Sequence, residues 1–292
     1  MTPLFRRPLS GPARCWTVGT LGPGSAGAST LAVAMATCLG GLLVEADADG
    51  GVLGARYENW LDERAPSLSS VLAALHTYAG LASVDQQLQR LPGGARAVLS
   101  APDAESVLNP VLRLVEDLDD LRRGLAGETM VLDIGRVRPG SASLMLAEQA
   151  DALIAVVRPE AESLGCLMAR LPVMLEQVPR LLVAVRGQGP YTLADIRAAI
   201  ALRAGVRIAV VGVPEDAHGV QALRRARKGG WTSWGGATLM HSADVLVSLL
   251  NGSPPEDSAP VGYGPVRGPS VPLELRLDAD RNQWPGPGNE GW

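Results

Sequence analysis

Between Ala13 and Leu250 short apolar runs alternate with longer stretches of helical period. The runs Trp16–Leu21, Leu42–Glu45, Ala97–Leu99, Met130–Asp133, Leu153–Val157, Leu181–Val185 and Ile208–Val211 are rich in Val, Leu and Ile and mostly lack polar alternation. That is the pattern of strands buried on both faces. Helices are predicted over Ser29–Leu39, Ser67–Tyr78, Ala104–Leu121, Ser141–Gln149, Glu160–Glu176, Thr192–Leu202, Gly219–Arg227 and Ala243–Leu250. Strand and helix in regular alternation predict an α/β fold, a doubly wound, mostly parallel sheet with helices on both faces.

The pattern also divides the chain. Residues 1–14 carry Arg6, Arg7 and Pro8 with no apolar run behind them, so they read as a flexible N-terminus and not as a signal peptide. Residues 15–252 read as one domain. From Ser253 to Trp292 there are eight prolines and six glycines without a sustained apolar period, and this stretch reads as a disordered tail.

Composition narrows the class. At 47% apolar and 19% charged residues over 292 positions, the chain can bury a large core, which excludes a collagen, a coiled coil and a wholly disordered protein. A net charge of −4 gives no global attraction to nucleic acid or an anionic membrane. Cys15, Cys38 and Cys166 are widely spaced and form no disulfide framework, as expected in a reducing cytoplasm. No run of about 18 apolar residues predicts a membrane span. Of 26 Lys and Arg residues only Lys228 is a lysine.

That scarcity matters at the end of the first predicted strand. Gly22-Pro23-Gly24-Ser25-Ala26-Gly27-Ala28-Ser29-Thr30 has the glycine spacing of a phosphate-binding P-loop, followed directly by an apolar helix. Glycines let successive N–H groups turn toward an anion, and the helix adds its positive end. Ser29 or Thr30 would offer a hydroxyl to a phosphate-bound metal ion. The lysine of the motif is replaced by Ala28, so a glycine-rich turn with no ligand is the alternative reading of the loop taken alone.

The order of these segments over about Trp16–Leu250 resembles the ParA/MinD family of P-loop ATPases, including its CpaE/TadZ-like branch. The resemblance implies a P-loop NTPase-like domain that binds ATP or ADP with Mg²⁺. Nucleotide would be cradled by Gly22, Gly24, Ser25, Ala26, Gly27, Ala28, Ser29 and Thr30. Leu42–Gly51 resembles the second-strand segment whose acids help place the metal and the attacking water. The match falls on Glu45 and Asp47, with Asp47 as the catalytic acid and Asp49 an alternative in a shifted register. Met130-Val131-Leu132-Asp133 resembles the Walker B strand, which makes Ser29 and Asp133 the metal-holding pair. Ala150–Glu160 is similar to a strand leading through Pro159-Glu160 into a helix. Arg186 stands where an asparagine often reads the base, and Val213-Pro214-Glu215-Asp216 resembles the segment that closes over adenine, with Pro214 touching it.

The family's two loop lysines are Pro23 and Ala28 here. One lost charge-assisted contact to the transferred phosphoryl group costs on the order of 3 kcal/mol of transition-state stabilisation. Backbone binding of phosphate does not depend on side-chain identity. The leading expectation is therefore a degenerate, ParA/MinD-like nucleotide-binding regulator, a poor or inactive ATPase. It would act through protein partners in septum, pole, pilus or chromosome positioning, as a homodimer or as a heterodimer with an active relative. Two alternatives stand beside it: an ATPase rearranged around Arg136 and Arg138, and a scaffold that acts through its C-terminal tail. Arg224, Arg225, Arg227 and Lys228, with Trp231 and Trp234 close behind, form the one dense basic patch and offer a non-specific DNA contact. Ordinary complementarity to a helix C-terminus is its structural alternative.

Overall fold

The computed structural model describes residues 13–24, 26–57, 66–76, 87–125, 127–225 and 238–252. The tail from Ser253, the segment before Ala13, and Ser25, Arg227, Lys228, Trp231 and Trp234 lie outside the described residues.

The strands are β1 (Arg14–Thr20), β2 (Leu42–Glu45), β3 (Gln89–Arg90), β4 (Arg96–Val98), β5 (Thr129–Arg136), β6 (Ala152–Val157), β7 (Leu181–Arg186) and β8 (Ala209–Val213). They form one sheet in the order β3-β4-β2-β5-β1-β6-β7-β8. Every pairing is parallel except that of the short edge strand β3 with β4. Ala13 is fully buried and Arg14 opens β1, so the sheet domain takes in two residues expected to belong to the flexible N-terminus.

The helices are α1 (Ala28–Leu39), α2 (Leu53–Arg56), α3 (Leu68–Leu75), α4 (Ala104–Gly124), α5 (Ala142–Gln149), α6 (Ala161–Gln177), α7 (Leu193–Ala204), α8 (Ala217–Arg225) and α9 (Thr238–Leu250). Helices α3 to α7 pack on one face of the sheet, through Leu72, Leu114, Leu146, Leu167 and Ile196 among others. Helices α1, α2, α8 and α9 cover the other through Met35, Leu53, Leu223 and Leu246. Strands with helices on both faces have no solvent side, and this is why β6 and most of β2 and β7 read as unbroken apolar runs. Among the described residues no helix is long and apolar enough to cross a membrane.

Parallel strands put all their C-terminal ends at one edge, where ligands of such sheets bind. The chain runs from β1 out to β3, returns to place β5 beside β1, and continues on the other side through β6 to β8. The loops after β1, β2, β5, β7 and β8 therefore converge around the N-terminus of α1.

Candidate functional site

The loop after β1 is built for close approach. Gly24 and Gly27 have φ of 77° and 85°, a left-handed backbone that side chains with a Cβ rarely adopt. Gly27 is the N-cap of α1, with no side-chain cap and no acid in the first turn, so the positive end of the helix is left to its N–H groups. Gly22 is buried against α6, 3.3 Å from Ser163 Cα at its Cβ position. Ala26 and Ala28 are 3% and 7% exposed. At the end of β1 the buried Thr20 hydroxyl has no hydrogen-bond partner.

Ser29 and Asp133, the two residues expected to hold a metal, are neighbours, and the Ser29 hydroxyl favours the charged form of the Asp133 carboxylate. Asp133 is 1% exposed. Burial pushes its carboxyl up to about 7, the nearby Glu45 and Asp47 charges add to the rise, and the bonds from Ser29 and the Gly135 N–H oppose it. Serine and carboxylate fit an Mg²⁺ ion that keeps waters and phosphate oxygens for its remaining ligands. Among the described residues no cluster of three or more His, Cys, Asp or Glu side chains surrounds a metal position.

The acids after β2 separate in role. Glu45 is fully buried and accepts the Val52 and Leu53 N–H groups at 2.6 and 2.8 Å and that of Ser100 at 3.1 Å. Gly51 admits this geometry, since a Cβ there would stand 2.7 Å from Glu45 Oε2. Glu45 is thus a structural anchor of the turn into α2, a correction to its expected place beside metal and water. Asp47 is half-buried and rests on Gly135, whose φ is 58° and whose Cβ would stand 2.0 Å from the Asp47 carboxyl carbon. Burial raises the Asp47 carboxyl, while the Asp49 N–H and the charges of Arg138 and Arg136 lower it.

Strand β5 continues past Asp133 to Arg136. Val18 pairs with Asp133 and Gly19 with Gly135, so Ile134 is an extra residue, a bulge that turns the strand end over the loop. Val137 N–H then bonds Thr20 O at 2.9 Å. Arg138 pairs with Asp49 at 2.5 Å on the open surface, and Arg136 acts on Asp47. Both arginines act on these acids.

Two other arginines reach the loop. Arg56 of α2 donates to Thr30 Oγ1 at 3.1 Å. Arg186, the last residue of β7, lies across Gly27: its Cδ, Nη1 and Nε stand 2.8, 2.9 and 3.0 Å from where a Cβ on Gly27 would be. Gly27, Thr30 and Arg186 line a common cavity with Val213, Pro214 and Asp216, which brings the segment after β8 to the loop as the sequence predicts. This cavity measures about 10 Å³. Sequence reasoning placed Arg186 near a base but missed its contact with Gly27, and Arg56 gave no signal at all. Of the basic patch, Arg224 is exposed near the end of α8.

No protein-family model matches the sequence, and comparison with curated proteins finds no match. Solved structures do match. A ParA family ATPase from Chlorobium tepidum superposes with a TM-score of 0.64 at 16% identity, covering 82% of this chain and 99% of that one. A McdA–ATP complex from Cyanothece gives 0.60 at 16% identity, covering 85% and 100%. The MinC:MinD cell division complex of Aquifex aeolicus gives 0.56 at 17% identity, covering 86% and 99%. At such identities the likeness is one of fold, and the chain has the ParA/MinD-like P-loop fold.

Proposed function

We propose that the protein is a degenerate ParA/MinD-like regulator of intracellular positioning, one that retains a phosphate-binding frame and hydrolyses nucleotide poorly or not at all. One observation carries this reading: Ser29 stays beside Asp133 at the start of α1 while Ala28, nearly buried, stands where the family's loop has a cation. Metal and backbone phosphate contacts survive such a change, and transition-state charge stabilisation does not. ATP or ADP with Mg²⁺ is the proposed ligand, Gly22–Thr30 and Pro214 its contacts, and Asp47 the acid nearest in role to a water-positioning group. A McdA of this fold is known with ATP and a MinD of this fold with MinC, which supports nucleotide and a protein partner here. The partner is a second copy or an active relative, and its assembly does not depend on nucleotide.

Titration calorimetry with ATP and ADP in Mg²⁺, beside a phosphate-release assay, tests this. Turnover is expected at background, and Ala28→Lys is expected to tighten ATP at least tenfold by restoring the loop cation. Chromatographic mass is expected to be the same with and without nucleotide. Robust turnover by the unaltered chain overturns the reading. The ATPase alternative has less support, because Arg138 is engaged with Asp49 and Arg136 faces Asp47.

A further inference from the structure

The position of Arg186 gives the cleft a second property. We propose that Arg186 is a built-in gate: in the resting protein its guanidinium fills the cleft between Gly27 and Pro214, and a nucleotide enters only when that side chain turns out. The inference rests on reading the cleft as a nucleotide site.

Space is the first argument. With Arg186 seated on Gly27, the cavity walled by Thr30, Leu31, Val156, Val213, Pro214 and Leu239 holds about 10 Å³. That is room for about one water, where small-molecule sites offer about 300 Å³ or more. A ribose and base cannot share it with the arginine. Gly27 is the seat itself, because any Cβ there would collide with the guanidinium and meet a strained φ as well.

Attachment is the second argument. Among the described residues Arg186 forms no ion pair and no side-chain hydrogen bond. The acids on its side of the cleft are engaged elsewhere. Asp216 accepts the Gly219 and Leu239 N–H groups at 2.7 and 3.2 Å and the Thr238 hydroxyl at 3.2 Å, and Glu215 stands 3.6 Å from Arg158. The Arg186 backbone is fixed in register with Val213 of β8, so only the side-chain torsions are free to move. Among the described residues packing alone holds the guanidinium, and it lies beside the positive end of α1, a like-signed neighbour that gives it no reason to stay. A side chain held this way leaves at small cost once a ligand competes for the space.

Mant-ATP and ATP binding, measured with Mg²⁺ on the full chain, tests the gate in four proteins: unaltered, Arg186→Ala, Ala28→Lys and the double variant. Arg186→Ala is expected to tighten ATP at least tenfold and to loosen neither ATP nor inorganic tripolyphosphate, because the arginine fills the cleft and binds no ligand. Arg186→Asn, shorter but polar, is expected to behave likewise, and equal thermal midpoints show that the fold is intact. Weaker ATP or tripolyphosphate binding by Arg186→Ala overturns the gate and makes the arginine a phosphate ligand. If Ala28→Lys binds ATP and the double variant binds no tighter, the gate falls while the nucleotide-site reading stands. If none of the four binds ATP, both fall.

Discussion

The two flanks of the cleft handle charge in opposite ways. On the flank formed by β2 and β5 each carboxylate is answered: Glu45 by three backbone N–H groups, Asp47 by the Asp49 N–H, Asp49 by Arg138, and Asp133 by the Ser29 hydroxyl together with a raised proton affinity. On the flank formed by β7 and β8 the cation Arg186 has no counter-ion among the described residues and is held by shape. Buried acids beside a loop that carries no cation must be neutralised from within, by backbone dipoles, by a surface arginine or by a proton. The acid flank is tied into the scaffold, and the proposed gate lies on the arginine flank.

If so, substitutions on the acid flank act on stability. Glu45→Ala leaves three buried N–H groups without an acceptor and is expected to cost about 4 kcal/mol in urea unfolding, with Glu45→Gln recovering part of it. A loss under 1 kcal/mol, the size of an exposed pair, would remove the contrast. Gly135→Ala forces a left-handed residue to carry a Cβ against the Asp47 carboxyl. About 2 kcal/mol is expected in the same assay.

The effect of Asp133 depends on pH. Burial pushes its carboxyl up to about 7 in the folded chain, well above the ordinary aspartate range, so the folded chain binds this proton more tightly than the unfolded chain. The stability it contributes is complete below about pH 4 and is lost as pH rises through 7. Asp133→Asn, neutral at every pH, is expected to raise the melting temperature by on the order of 4 °C at pH 8, with the gain vanishing toward pH 4. A gain that grows on acidification contradicts this sign.

Arg138→Ala should matter least. Its pair with Asp49 is about half exposed on both sides, and the expected loss is under about 1 kcal/mol, smaller still in high salt. Nucleotide affinity should not change, and a marked fall would return Arg138 to the ligand.

Much of this architecture was legible along the chain. Leu42–Glu45 is a strand with the predicted bounds, and the apolar cores of β6, β7 and α4 to α6 fall where the periods place them. Residues 89–90 and 53–56 are too short to show any period, and β3 and α2 went unseen. Helix α9 begins at Thr238 and not at Ala243, because Leu239 and Met240 bury although Thr238 and His241 interrupt the apolar pattern. Strand β5 outlasts its apolar run because the bulge at Ile134 lets Gly135 and Arg136 keep pairing with β1.

At the site the same division holds. The glycine spacing from Gly22 to Gly27 and the order of the acid-bearing strands are local or sequential properties, so the sequence alone determined the glycine loop, the parallel sheet and the nearness of Ser29 to Asp133. Which carboxylate a backbone turn would enclose, and which arginine would reach Gly27, depends on loops separated by up to 159 residues meeting at one sheet edge. Side-chain length and the direction of approach decide such contacts, and neither leaves a period in the sequence. Only the tertiary structure could make Glu45 an anchor and Arg186 the occupant of the cleft.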